Sequence, residues 1–410
     1  MAANPSHLGA LNYADESAFG ETSTTFDERL PIINNVNDIL SALKHDKIAT
    51  NVTKQYVNDE AQDALGVQDA EFPVSVWLAG HGSSTATGAL TANNVETFLG
   101  RCFGTINTTG VGGTTTAEGS DADTVEEAGA TVATPGALIR VGARGDARGN
   151  GEFYGVTSHT GTTIQLLNGM ATKVNNDDVI CAAVMIHGYE TPNATMPSMR
   201  FNAQSANQRA NIWGAYCVGA DLSFEVGQPA RADMRMKGSR WAMESASTWP
   251  SETTTDTFTP APCTGGRVFV NVAGTTTRAV RTIRNLKVSL DLQRVPLLGY
   301  DSNNAYQSIV GYREIKNQMT VTWEEDCEAA CTDTLGGYYT GSSFYHICFT
   351  FSAADGSAVG LYLPKAKLVT PRPTQMDGAG LNQKSVTMVG VTGGTVTSAL
   401  TQSSWRLASA

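Results

Sequence analysis

Cys327, Cys331, His346 and Cys348 are the nearest approach in this sequence to a metal-ligand set. A structural zinc site needs four ligands presented as two well-spaced pairs. The C-x₃-C spacing is tolerable, but His346 and Cys348 lie two apart on a stretch that reads as a strand. They would share one face and make no second knuckle, so packed thiols are the better reading. The six histidines (7, 45, 81, 159, 187 and 346) are scattered singly. Gly80-His81-Gly82-Ser83-Ser84 lacks the G-x-S-x-G elbow that exposes a nucleophilic serine and reads as a strand-ending turn. No G-x-x-x-x-G-K-[ST] occurs, and Gly110-Val111-Gly112-Gly113 does not join a strand to a helix, so no phosphate cradle is indicated. Acidic groups at Asp121/Asp123, Glu126-Glu127 and Glu324-Glu325-Asp326 form no EF-hand loop and read as solvated turns. No catalytic constellation, metal or cofactor is expected.

The composition points the same way. The chain has 410 residues, of which 41% are hydrophobic and 16% charged, against a usual charged share of ~25%. Gly (41 residues), Thr, Ser, Asn and Ala fill the difference, which disfavours long helices and suits strands joined by turns. With 28 Lys+Arg against 39 Asp+Glu the net charge is −11. An acidic chain without a basic cluster is a poor candidate for gripping nucleic acid, whose phosphates need a cationic stripe. Seven scattered cysteines are no disulfide framework, and reduced thiols are expected. No signal peptide is visible, and the longest apolar run, 179–186, is too short to span a bilayer, so a soluble protein made in a cytosol is expected.

Residues 1–26 read as a polar arm. Val36, Ile39, Leu40 and Leu43 recur at helical spacing after Asn34-Asn35, and a weaker helical stretch is expected over 52–65. Phe72 to Leu78 reads as a strand. Asn93 stands three residues before Glu96, the capping-box spacing, ahead of the stripe Val95, Phe98, Leu99 and Cys102. Residues 104–135 read as a linker. Short strands at 137–141, 153–158, 163–166 and 179–186 suggest a small inserted β-barrel or sandwich.

The clearest signal follows. Val218, Ala220, Leu222, Phe224 and Val226 alternate with polar residues, turn at Gly227-Gln228-Pro229, and continue as Ala230, Ala232, Met234 and Met236. That pattern is a hairpin with one apolar and one charged face. It returns in Leu286 to Leu292 and Met319 to Trp323, with a long loop, 294–317, expected between them. Strands are also expected at 345–351, 360–364 and 385–391. The fold class is therefore mainly β, antiparallel, with one or two short helices and an inserted small β-domain. A sheet with one wet face and long edges is suited to assembly, for example into a ring around a water-filled hole.

The order of these segments resembles the tail tube (major tail) proteins of long-tailed bacteriophages. The resemblance is carried by Phe72-Pro73-Val74-Ser75-Val76-Trp77-Leu78-Ala79-Gly80 before the short helix at 93–103, by the hairpin 214–237, and by 286–292, a Pro/Gly/Tyr-rich loop and 319–325. Leu361-Tyr362-Leu363-Pro364-Lys365-Ala366-Lys367-Leu368, then Asp377-Gly378-Ala379-Gly380-Leu381-Asn382-Gln383, complete it. It covers about residues 27–103 and 188–392. It implies an arm (1–26), a tail-tube domain in two parts (27–103 and 188–400) around a linker and inserted β-domain (104–187), and a C-terminal tail (401–410). The size leaves one domain with an insert and two related domains both open.

What the resemblance implies is a mechanism without a reaction. Rings, typically hexameric, would join the two hairpins of each copy into a continuous barrel and stack into a tube for DNA ejection. Asp221, Ser223, Glu225, Arg231, Asp233, Arg235, Lys287, Ser289, Asp291, Thr320 and Thr322 would be candidates for the lumen lining. Arg294, Tyr300, Asp301, Tyr306 and Tyr312 would belong to a ring-stacking loop. The implied partners are other copies, tape-measure, tail-terminator and baseplate or distal tail proteins, and genomic DNA in transit. The location would be the virion tail, assembled in the host cytoplasm, with no membrane insertion and no cofactor. The rival from another class is a capsid decoration or receptor-binding β-protein; a carbohydrate-active enzyme would need paired carboxylates in a cleft, and nothing in the sequence places them.

Overall fold

A computed structural model describes residues 9–17, 19–20, 28–48, 64–80, 92–107, 113–117, 123–127, 136–142, 152–166, 179–181, 183–188, 197–205, 208–225, 227–245, 259–260, 265–272, 280–281, 283–300, 307–326, 344–352, 357–369, 375–376, 382–392 and 403–409. The described residues are mainly strand, with two helices, α1 (Val36–Ala42) and α2 (Asn94–Phe103). They form a large antiparallel sheet, a closed six-stranded barrel and a two-stranded sheet.

The period-2 alternation becomes pairing. Gln208–Ser223 turns through Gly227 (φ 80°) and pairs with Arg231–Gly238, placing Leu222 opposite Ala232 and Ala220 opposite Met234. Ile283–Tyr300 pairs with the other edge of Gln208–Ser223, and Gln307–Asp326 pairs with Ile283–Tyr300. Ala64–Trp77 flanks the first hairpin, and Asn382–Gly390 the second. The apolar sides of these strands meet α1 and α2 in one core that includes Phe72, Phe98, Phe201, Met234, Trp323 and Trp405. The cap of α2 forms as its spacing indicates. The Glu96 amide donates to Asn93 Oδ1 at 2.8 Å, and the Asn93 amide donates to Glu96 Oε2 at 2.9 Å. Two otherwise orphaned helix-end donors are thereby satisfied.

Several expectations are corrected. Val218 is only half-buried, because the register slips between Cys217 and Gly219 and interrupts the alternation. The arm contains the strand Gly9–Asp15, paired along its whole length with Met199–Ser205. Residues 64–66 begin a strand, where the sequence suggests the end of a helix; residues 52–63 lie outside the described residues. The linker contains the strands Gly104–Asn107, Gly113–Ala117 and Thr124–Glu127. The strand expected at 179–186 is two, with Val179–Cys181 in the barrel and Val184–Gly188 in the large sheet. The expected tail contains a buried strand, Arg406–Ser409, seated between Val184–Gly188 and Ala358–Leu368.

The barrel is built from Gly113–Ala117, Thr124–Glu127, Leu138–Gly142, Glu152–Thr160, Thr163–Leu166 and Val179–Cys181. It is seated on the large sheet through a dry seam. The Phe153 amide donates to Thr350 Oγ1 at 3.1 Å, and Cys348 Sγ donates to the Phe153 carbonyl at 3.3 Å. The close approach requires glycine at 360, where a Cβ would lie 2.5 Å from Phe153 Cδ2. Gly360→Ala is therefore expected to cost about 1–3 kcal/mol by overpacking. Comparing urea unfolding of G360A with that of G360A/F153L checks this, since the smaller side chain should return part of the loss.

Candidate functional site

The pairing brings the candidate lumen-facing residues onto one open face of one sheet. Ser75, Asp233, Asp221, Ser289 and Thr320 run across five strands in one row, and Arg231, Ser223, Lys287, Thr322 and Thr387 in the next. In a third row Arg235, Gly219, Asp291 and Gln318 follow one another on successive strands. Each of these but Gly219 is exposed or half-buried, whereas the intervening Leu222, Ala232, Met234, Val288, Leu290 and Val321 are buried. Glu225 is exposed just beyond its strand. This split is what a half-wetted antiparallel sheet produces.

The charges on this face interlock. Asp233 accepts from Ser75 Oγ at 2.6 Å and from Arg231 Nε at 2.8 Å, which offsets its position directly opposite Asp221. Lys316 Nζ reaches Asp291 Oδ2 at 2.8 Å, and Thr322 and Thr387 share a hydroxyl contact at 3.1 Å. Among the candidates Asp221, Glu225, Asp233 and Asp291 are acidic and Arg231, Arg235 and Lys287 basic, so the face is mixed in sign. Such exposed pairs orient side chains and contribute little stability.

The expected stacking loop is a different object. Ile283–Tyr300 and Gln307–Asp326 keep pairing from Arg294↔Glu314 to Tyr300↔Gln307, with register shifts that accommodate an irregular sequence. The result is a hairpin projecting past its neighbours. Tyr300 ends its first strand, while Asp301 and Tyr306 lie outside the described residues. Arg294 and Tyr312, expected in an exposed loop, are both buried at its base. On the outer side Val295, Leu297 and Ile315 are exposed, Ile315 by 63%.

Arg294 earns its burial through four hydrogen-bonded or stacked partners. Its Nε donates to Glu314 Oε2 at 3.0 Å, Nη1 to the Cys217 carbonyl at 2.7 Å and Nη2 to the Cys102 carbonyl at 2.7 Å. Its guanidinium lies 5.7 Å from the centre of the Tyr312 ring. Tyr312 stacks on Tyr216 with centroids 4.3 Å apart. Burial raises the Glu314 carboxyl above its usual range, while Arg294 pulls the other way. One guanidinium thus ties α2, the long strand and the projecting hairpin together. The sequence has no local signal for this, because the partners lie on three distant segments.

His346 lies in the strand Tyr345–Ser352, two residues before Cys348 and four before Thr350. It is fully buried, and neither ring nitrogen has a hydrogen-bond partner among the described residues. Burial pushes its pKa down to about 4; Cys327 and Cys331 lie outside the described residues. Among the described residues no group of three or more His, Cys, Asp or Glu could hold a metal. A depressed histidine pKa means the unfolded chain binds the proton more tightly, so stability falls as pH drops from about 6.5 towards about 4. The loss should approach 3 kcal/mol, in order of magnitude. Urea midpoints for wild type and His346→Leu at neutral and mildly acidic pH check this, the variant showing the shallower decline.

No protein-family model matches the sequence, and no curated protein matches it. No helix among the described residues is long and apolar enough to cross a membrane. The geometry therefore carries the functional reading.

Proposed function

We propose that this chain is a structural subunit that forms rings and stacks them into the tail tube of a long-tailed phage. The observation that supports this is the side-by-side placement of two amphipathic hairpins in one sheet, with a polar face left open to water. A ring of such sheets would line a hole with Asp221, Ser223, Asp233, Lys287, Ser289, Thr320 and their neighbours, and DNA would pass without a cationic stripe to hold it. The mixed sign of the face makes the wall polar and self-paired.

Edges support the same reading. Leu43–Ile48 at one end of this sheet, and the Gln307–Met319 stretch whose strand meets Asn382–Gly390 only from Thr320 on, each have one strand partner among the described residues. Joining unlike edges head to tail is the heterologous contact that closes into rings. The edge of Ala64–Trp77 beyond Leu43–Ile48 is guarded: Asn34 accepts from the Ser75 amide at 2.9 Å and donates to the Pro73 carbonyl at 3.1 Å. The projecting hairpin, with Val295, Leu297 and Ile315 outward, would contact the next ring. Further copies, tape-measure, terminator and baseplate or distal tail proteins are the partners in this reading, and the virion tail is the location.

Negative-stain electron microscopy of the purified protein at high concentration is the test. Hollow tubes or stacked rings of constant diameter are expected. Discrete compact particles that persist on concentration and on adding baseplate components would overturn the tube and favour a capsid decoration or receptor-binding protein.

A further inference from the structure

A second amphipathic surface lies away from the polar face described above. Met199–Ser205 runs between Gly9–Asp15 and the first half of Gln208–Ser223, whose other edge carries Arg240–Ser245. Leu11, Phe201, Ala203 and Ile212 point from these strands into the main core. The residues alternating with them are polar and face the other way. Asn12, Asn202 and Asn211 stand in one row across three strands. Asn202 Nδ2 donates to Asn211 Oδ1 at 2.9 Å, and Asn211 Nδ2 to Glu244 Oε1 at 2.8 Å. Beside that row Arg209 Nη2 donates to Gln204 Oε1 at 3.1 Å, and its Nη1 lies 3.6 Å from Glu244 Oε1. On the other side of the row, Arg200 and Arg240 reach Trp213 from the two strands that flank it. Their guanidinium carbons lie 5.3 and 5.1 Å from the centre of the indole ring. Arg29 stands opposite Asn12 and is exposed.

We propose that this arginine-bearing face docks on an acidic surface of a second copy of the chain. Its described residues set four arginines, Arg29, Arg200, Arg209 and Arg240, against two carboxylates, Glu244 and Glu16. Glu16 is buried and already accepts from the Gly214 and Gly20 amides at 2.9 and 2.8 Å. The face is therefore basic, on a chain whose net charge is −11. The complementary charge is carried by the rest of the same molecule, so a second copy supplies it. Contact between unlike surfaces of identical chains is heterologous. The chemistry of the face selects carboxylates. Stacking on an indole fixes a guanidinium while leaving N–H groups at its edge to bind oxyanions. With guanidiniums reaching the indole from both flanking strands, Trp213 is not open to stack a nucleobase or a sugar. None of the residues assigned to the lumen takes part, so the contact stands whether or not rings form.

The test is sedimentation of the full-length chain over a range of concentrations at about 50 and about 500 mM sodium chloride. Wild type is compared with R200Q/R240Q, with the charge-conserving R200K/R240K and with Arg29→Glu on the exposed strand, each checked for folding by circular dichroism. The expected result is reversible self-association that weakens about tenfold or more in high salt, and about tenfold in R200Q/R240Q and in Arg29→Glu at low salt. R200K/R240K should keep most of it. If R200Q/R240Q fails to fold, Arg29→Glu decides. Association equal in wild type and the neutralised or reversed variants, association indifferent to salt, or none at any concentration overturns the proposal. So does binding of a fluorescent single-stranded DNA that the variants lose while self-association persists. Tubes that form unchanged in the variants and in high salt overturn this docking face and leave the tube reading standing. Salt-sensitive association that never yields tubes does the reverse.

Discussion

Arg294→Met is expected to destabilise the folded chain by about 3–5 kcal/mol, the loss seen when one member of a buried ion pair is removed. Methionine fills much of the same volume, so the cost comes mainly from what is left behind. Glu314 would be a buried carboxylate without its cation, and the carbonyls of Cys102 and Cys217 would lose their donors. Glu314→Leu should cost a similar amount, because it strands the guanidinium. The double variant R294M/E314L should recover a large part of the loss, since a well-packed apolar replacement of a buried pair is often neutral. Urea unfolding of the four proteins gives the coupling directly. Single-variant losses within about 1 kcal/mol of wild type, the range of an exposed pair, would show that the Arg294 cluster is not a structural clamp.

Ending the chain at residue 402 is expected to abolish folding. The strand Arg406–Ser409 is hydrogen-bonded on both edges, to Val184–His187 on one side and Val359–Tyr362 on the other. Its removal strands two rows of backbone donors and acceptors inside the sheet, each costing roughly 1–3 kcal/mol when buried and unpaired. The truncation also removes Trp405 and Leu407 from the main core and Ala408 from the barrel seam. A graded version is Trp405→Ala, expected to cost about 3–5 kcal/mol as a large buried ring is lost. It additionally removes the donor of the bond from Trp405 Nε1 to Asn317 Oδ1 at 2.9 Å. Circular dichroism and near-ultraviolet spectra of the truncated protein check the first expectation. A cooperative unfolding transition close to that of wild type would show that the strand is dispensable.

By itself the sequence determined those features that depend on neighbours a few residues away. Alternation of apolar and polar side chains along 220–224, 230–236, 286–292 and 319–323 sends successive residues to opposite faces whatever the strands pair with, so which residues share a face was legible, while which face stays wet was left to the fold. The cap of α2 was legible for the same reason, since Asn93 and Glu96 satisfy each other within one turn. Tertiary structure alone decided everything that required a distant partner. The sequence does not say that Asp221 stands opposite Ser289, or that the two hairpins share one sheet, because register is fixed only when strands meet. Residues 104–135 look like a linker, being rich in Gly, Thr and acids, yet Gly104–Asn107, Gly113–Ala117 and Thr124–Glu127 form strands once neighbours supply hydrogen-bond partners. Pro296, Gly299 and Gly311 make 294–317 look like a loop, but two register shifts let the hairpin continue through them. Arg294 looks like a surface residue until a carboxylate and two carbonyls, each from a different part of the chain, converge on it. A charge can be buried only where such partners meet, and that meeting is a property of the fold.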